Sequence, residues 1–129
     1  MNTPALALIA APPVPLRYSL QALLARLPQV DSVQNVEDTR SMLAILTDAQ
    51  PQLVVLDVGL LGDETRPMLR LIKAIAPRAH IVVLVDDIEQ QHALQTASAD
   101  LVLLKGYPAA ELFASIERLL AQDDPRASQ

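Results

Sequence analysis

A chain of 129 residues suits one compact domain, and a content of 51% hydrophobic but only 2% aromatic residues means that aliphatic side chains must build its core. A formal charge of −5, with 10 basic residues scattered and never forming a run, argues against a nucleic-acid surface on this domain. The absence of cysteine excludes disulfides and thiolate metal sites, and is in keeping with a cytoplasmic protein.

The first predicted strand is Ala5–Ala10. Its apolar run resembles a signal-peptide core, but no Lys or Arg precedes it and Pro12, Pro13 and Pro15 interrupt it. It is too short to span a bilayer, so no membrane association is expected. Leu16, Leu20, Leu23, Leu24 and Leu27 then share one stripe of a first helix that Pro28 ends. Ser32–Val36 is the second strand. Met42, Leu43, Ile45 and Leu46 mark the second helix, with Asp38 or Thr39 as its cap.

Leu53–Asp57 is the third strand, and a helix carrying Met68, Leu69, Leu71, Ile72 and Ile75 follows Thr65, with Pro67 tolerated in its first turn. Asp63 and Glu64 precede that helix, where its dipole favours acids. His80–Val85 is the fourth strand. The fourth helix begins at Asp87, which pairs with Gln90 as a capping box. Leu101–Leu104 is the fifth strand, and the last helix runs from about Pro108 to Ala121 with Leu112, Phe113, Ile116, Leu119 and Leu120 inward. The domain is assigned to residues 1–121; residues 122–129, polar and with Pro125, form a tail or the start of a linker.

Leu-Ala-Leu-Ile, Leu-Val-Val-Leu and Ile-Val-Val-Leu are apolar on successive residues, which implies strands covered on both faces and hence a parallel sheet. Alternation of strand and helix with right-handed crossovers gives a doubly wound α/β architecture. Its reactive crevice lies beyond the carboxyl ends of the strands, at Ala10–Pro13, Asp57–Gly59, Val85–Asp87 and Lys105–Gly106.

Asp57 at the tip of the middle strand and Lys105 at the tip of the fifth, in that order and spacing, resemble the receiver domains of response regulators. The similarity runs from Leu6 to Leu120. The segment Ala99-Asp100-Leu101-Val102-Leu103-Leu104-Lys105 is similar to receivers joined to helix-turn-helix transcription factors. The resemblance implies a flavodoxin-like fold with a five-stranded parallel sheet of order 2-1-3-4-5, helices on both faces, and a place in two-component signalling.

Receiver chemistry, as the resemblance implies it, uses five groups. An acid pair after the first strand joins the central Asp in holding magnesium, and that Asp takes up a phosphoryl group. A Thr or Ser ending the fourth strand and the Lys grip the phosphoryl oxygens, and an aromatic residue in the fifth strand turns inward. Matched by position, the acid pair falls on Ala11 and Pro12, the hydroxyl on Val85 and the aromatic on Val102. Only Asp57 and Lys105 remain. Magnesium binds through oxygen ligands and phosphoryl transfer rests on positioning and charge neutralisation, so the loss of two carboxylates removes the basis of the switch.

Asp57 has two readings. It is a phosphoacceptor working with an unusual ligand set, or an inherited strand-end acid paired with Lys105, both near solvent. The second is preferred, and such a partly exposed pair contributes on the order of a kcal/mol or less. Asp86 is the nearest substitute acid, but solvation of Asp86 and helix capping by Asp87 are the simpler roles. His80 and His92 lack metal-ligand spacing. Tyr107 is expected to be exposed, and the Lys105–Gly106 bond to be an ordinary trans peptide because Pro108 comes later.

The leading expectation is a pseudo-receiver: no enzyme, no cofactor, and a phosphorylation-independent module that dimerises or docks on a protein partner within a transcription regulator. Receivers commonly use the face of the fourth helix, fifth strand and fifth helix, here residues 90–98, 102–104 and 109–120, or a face of the first and fifth helices. Two alternatives stand: a phosphoacceptor at Asp57, which would require Mg2+, and a small-ligand sensor whose crevice is lined by Ala11, Pro12 and Val85.

Overall fold

The computed structural model describes residues 5–122, so the proposed tail lies, except for Gln122, outside the described residues. In chain order the elements are β1 (Leu6–Ala10), α1 (Pro15–Leu24), β2 (Ser32–Val36), α2 (Thr39–Ala49), β3 (Leu53–Asp57), the one-turn helix α3 (Val58–Leu61), a 3-10 turn (Gly62–Glu64), α4 (Thr65–Ile75), β4 (His80–Val85), α5 (Ile88–Leu94), β5 (Leu101–Leu104) and α6 (Ala109–Ala121). The five strands are all parallel in the order β2-β1-β3-β4-β5, the doubly wound, flavodoxin-like arrangement expected from the sequence. No described helix is long and apolar enough to cross a membrane.

Alternate side chains of the central strands leave the sheet on opposite faces and bury in two aliphatic layers. On one face Leu8, Val54, Leu56 and Val83 meet Met42 and Leu46 of α2, Leu69 and Ile72 of α4, and Leu94 of α5. On the other, Ile9, Val55, Val82 and Leu84 meet Leu20 and Leu24 of α1 and Ile116 and Leu120 of α6. Full burial of a Leu or Ile contributes about 1.5–3 kcal/mol, so the two layers together are the main drive for this topology. The edge strand β2 is covered mainly at its carboxyl end and mixes polar with apolar residues, whereas the other edge strand, β5, is an unbroken apolar run that is half-buried throughout.

Four local expectations are refined. The helical part of α1 stops at Leu24, although the leucine stripe continues to Leu27. Arg26 and Leu27 instead donate their N–H groups three residues back, to Leu23 and Leu24, because Pro28 disfavours helical backbone in the residue before it. Leu27 remains buried in that tighter turn. Asp38, rather than Thr39, caps α2, its carboxylate accepting the Ser41 N–H at 2.7 Å. Leu71 is exposed at 42%, lying outside the inward stripe of α4. The one-turn helix α3, not anticipated from the sequence, starts directly at Asp57, whose side chain caps it.

Candidate functional site

Parallel pairing brings the ends of β1, β3, β4 and β5 to one edge. Ala10 lies beside Leu56, Asp57 beside Leu84, and Val85 beside Leu104. The next residues of these strands are therefore neighbours at the crevice.

Asp57 is only 2% exposed, which corrects the expectation of a strand-end acid near solvent. Its Oδ1 accepts the Gly59 N–H at 2.8 Å and the Lys105 Nζ at 2.7 Å. Gly59 lets the backbone come this close: a Cβ there would sit 3.2 Å from the same oxygen. Lys105 is tethered by its own N–H to the Val85 carbonyl at 2.9 Å. Its ammonium also meets Asp86 Oδ1 at 2.6 Å, so one cation bridges a carboxylate at the end of β3 and one in the turn after β4.

Asp86 thus reaches the crevice rather than standing free in solvent, although its side chain is 56% exposed. Partial burial alone would lower the Lys105 pKa. The hydrogen bonds and charges of Asp57 and then Asp86 outweigh that effect, and the ammonium is held above its ordinary value. Val85 contributes no polar group; its side chain is fully buried in the hydrophobic layer on the α2/α4 face. Val102 is half-buried and packs against that same layer from β5.

At the acid-pair positions, Ala11 is buried and Pro12 partly exposed. The Ala11 carbonyl is taken by a residue that the sequence reading did not single out. Arg17, 7% exposed, donates from Nη1 to the Ala11 carbonyl and to Glu37 Oε1, each at 3.2 Å. Its Nη2 donates to the Tyr18 hydroxyl at 3.1 Å, and the guanidinium lies 4.9 Å from the Tyr18 ring centroid. The signal was present: Arg17 stands three and seven residues before Leu20 and Leu24, on the buried stripe of α1. A charged residue on an apolar stripe needs internal partners, and the ends of β1 and β2 supply them.

Around the rim, Asp87 caps α5 by accepting the Gln90 N–H at 2.8 Å, while Gln90 Oε1 accepts the Asp86 N–H at 2.7 Å. The reciprocal half of the expected capping box therefore falls one residue earlier. Asp63 and Glu64 occupy the exposed 3-10 turn before α4. His80 opens β4, and His92 is exposed in the last turn of α5. Tyr107 is 53% exposed, and no peptide bond among the described residues is cis. Among those residues no group of three or more His, Cys, Asp or Glu side chains could hold a metal ion.

No family model and no curated protein matches the chain in sequence. Solved structures do. The chain is similar to the RcsB response regulator of Salmonella typhimurium at a TM-score of 0.76 and 18% identity, over 92% of this chain and 61% of that one. It is similar to a CheY-like receiver domain protein of Methanospirillum hungatei (TM-score 0.76, 17% identity, 92% and 95% covered). The chemotaxis regulator CheY4 of Vibrio cholerae matches at 0.75 and 17%, with 91% and 99% covered. The fold is that of response-regulator receiver domains. This receiver fold spans less than two thirds of the RcsB chain. It places Asp57 and Lys105 at the carboxyl edge of the sheet, with Ala11 and Pro12 after the end of β1 and the side chain of Arg17, from α1, on the Ala11 carbonyl.

Proposed function

We propose that this domain is a pseudo-receiver: a non-catalytic protein-interaction module that signals without being phosphorylated. The observation that carries the reading is the state of the acid-pair positions. Ala11 and Pro12 offer no carboxylate, and the Ala11 carbonyl is already bound by the Arg17 guanidinium. At Asp57, Oδ1 is engaged by Gly59 and Lys105. Such a donor set does not fit magnesium, which needs oxygen ligands and here would face a fixed guanidinium at the end of β1. Without the ion and without a hydroxyl at Val85, phosphoryl transfer loses most of its charge neutralisation. The reading therefore includes no enzymatic step and no cofactor, with a protein partner or a second copy of the chain as its target.

We further propose a cytoplasmic role within a transcription regulator whose DNA-binding surface lies outside this acidic domain. The similarity of Ala99–Lys105 to receivers of helix-turn-helix factors supports it, as does the likeness to RcsB, a response regulator described for its interaction with DNA.

The test is a titration with beryllofluoride and magnesium followed by amide chemical shifts, with Asp57→Asn as control. The expected result is no saturable shift at Asp57, Val85 or Lys105. Magnesium-dependent, saturable shifts that vanish in the control would restore Asp57 as a working phosphoacceptor and end the pseudo-receiver reading.

A further inference from the structure

The exposed face of α4 carries two parallel rows. Arg66, Arg70 and Lys73 recur at helical spacings of four and three, and Pro67, Leu71 and Ala74 repeat that spacing one residue later. Thr65, Leu69 and Ile72 take the buried side of the helix. All of the row residues are exposed except Lys73, which is half-buried. A basic ridge therefore runs beside an apolar one along a helix of 11 residues, about 16 Å in length.

The charge of the basic ridge is not neutralised within the domain. Arg66 donates to the Ala93 carbonyl of α5, and Lys73 to the Ala79 carbonyl at 3.3 Å, which orients both cations without cancelling them. Unlike Arg17 and Lys105, the three ridge cations form no ion pair among the described residues. No acid stands on α4 itself; Asp63 and Glu64 lie in the turn before it. Arg78, exposed one residue before the carbonyl that Lys73 reaches, adds a further cation at the carboxyl end. A chain of net charge −5 thus gathers four of its 10 basic residues on one helix and the turn after it.

Both rows together decide what fits. A second copy packed on this face about a two-fold axis would set cation against cation, which disfavours self-association there. A nucleic-acid backbone matches the charge but offers nothing apolar to Leu71 and its neighbours. A bilayer surface is bound through a large apolar helix face, and that face of α4 is already spent on the core, through Leu69 and Ile72. A protein segment with aliphatic side chains flanked by carboxylates satisfies both rows.

We infer that the exposed face of α4 docks an acidic, aliphatic segment of a partner protein, its apolar side chains against Pro67, Leu71 and Ala74 and its carboxylates against Arg66, Arg70 and Lys73. This surface is distinct from the crevice and from the α5–β5–α6 and α1–α6 faces. The inference rests on the proposed reading of the domain as a protein-interaction module and specifies the chemistry of its partner.

The experiment titrates the full chain, in EDTA and without any phosphoryl mimic, with a synthetic helical peptide carrying leucines at i, i+4 and i+7 and glutamates beside them. A counterpart with lysines in place of the glutamates serves as comparison. Saturable amide shifts centred on Arg66, Arg70, Leu71 and Ala74 are expected with the glutamate peptide alone, weakening as salt is raised. Arg70→Glu should reduce affinity roughly tenfold or more by turning attraction into repulsion, and Leu71→Ser several-fold by removing the apolar anchor. Both side chains are exposed, so the free variants should keep the wild-type amide spectrum away from α4. Equal binding of both peptides, shifts centred elsewhere, wild-type affinity in Arg70→Glu, or no saturable binding in any state would overturn the assignment of this face. Duplex DNA bound more tightly at the same amides, or self-association of the free chain that Arg70→Glu changes, would overturn the choice of a partner protein. Peptide binding that emerges only after beryllofluoride and magnesium are added would keep the face and overturn the phosphorylation-independent reading.

Discussion

Lys105 faces two carboxylates of very different standing. Asp57 is 2% exposed and keeps only the Gly59 N–H if the lysine is removed, whereas the Asp86 side chain is 56% exposed and can return to water. Lys105→Met should therefore cost on the order of 1–3 kcal/mol, the range for a buried polar group deprived of its partner. Asp86→Asn should cost roughly 0–1 kcal/mol, as exposed pairs do. Urea denaturation of the two variants separates these outcomes; equal losses would show that the burial of Asp57 does not set the strength of the pair. The same lysine predicts an alkaline signature. Its folded pKa lies above the ordinary 10.5, so its contribution is complete below that value and is lost as pH rises through the folded value. Wild-type stability should fall across that alkaline window, and Lys105→Met should flatten the fall.

At the scale of single elements, caps and breakers govern the ends. Asp87 holds α5, a helix of only 7 residues whose Leu94 is its buried anchor. Asp87→Ala should cost about 1 kcal/mol, and Asp87→Asn should recover most of it, because the cap needs an acceptor oxygen rather than a charge. Thermal melts of the two variants check this, and equal destabilisation would show that the charge matters more than the acceptor. The five strands were legible in the sequence almost to the residue: four are apolar runs between helical segments, and the mixed β2 was placed by the alternation of strand and helix. α3 was not legible. Val58–Leu61 carries three apolar side chains and a glycine, and it becomes a helical turn because the Asp57 carboxylate accepts the Gly59 N–H. The same carboxylate both caps α3 and anchors Lys105.

Over the whole molecule, stability rests on two aliphatic layers and on cations that belong to the chain itself. Arg17 ties α1 to the ends of β1 and β2, and Lys105 ties β5 to β3 and to the turn after β4. A divalent ion that binds the folded state would raise the melting temperature by mass action. The melting temperature in EDTA is expected to equal that in magnesium; a rise that grows with magnesium concentration would reveal an ion site that the donor set does not suggest.

The sequence by itself determined the doubly wound sheet, its strand limits, the aliphatic core and the position of Asp57 and Lys105 at the carboxyl edge. Each follows from hydrophobic period and chain order, which are local properties. Only the tertiary structure decided that Asp57 is buried, that Asp86 shares the lysine, and that Arg17 closes over the Ala11 carbonyl. Those facts depend on which side chains meet across separate strands and loops. Contacts between residues 29 and 48 positions apart, such as Asp57 with Asp86 around Lys105 and Asp57 with Lys105 itself, are fixed by packing and register rather than by any local pattern.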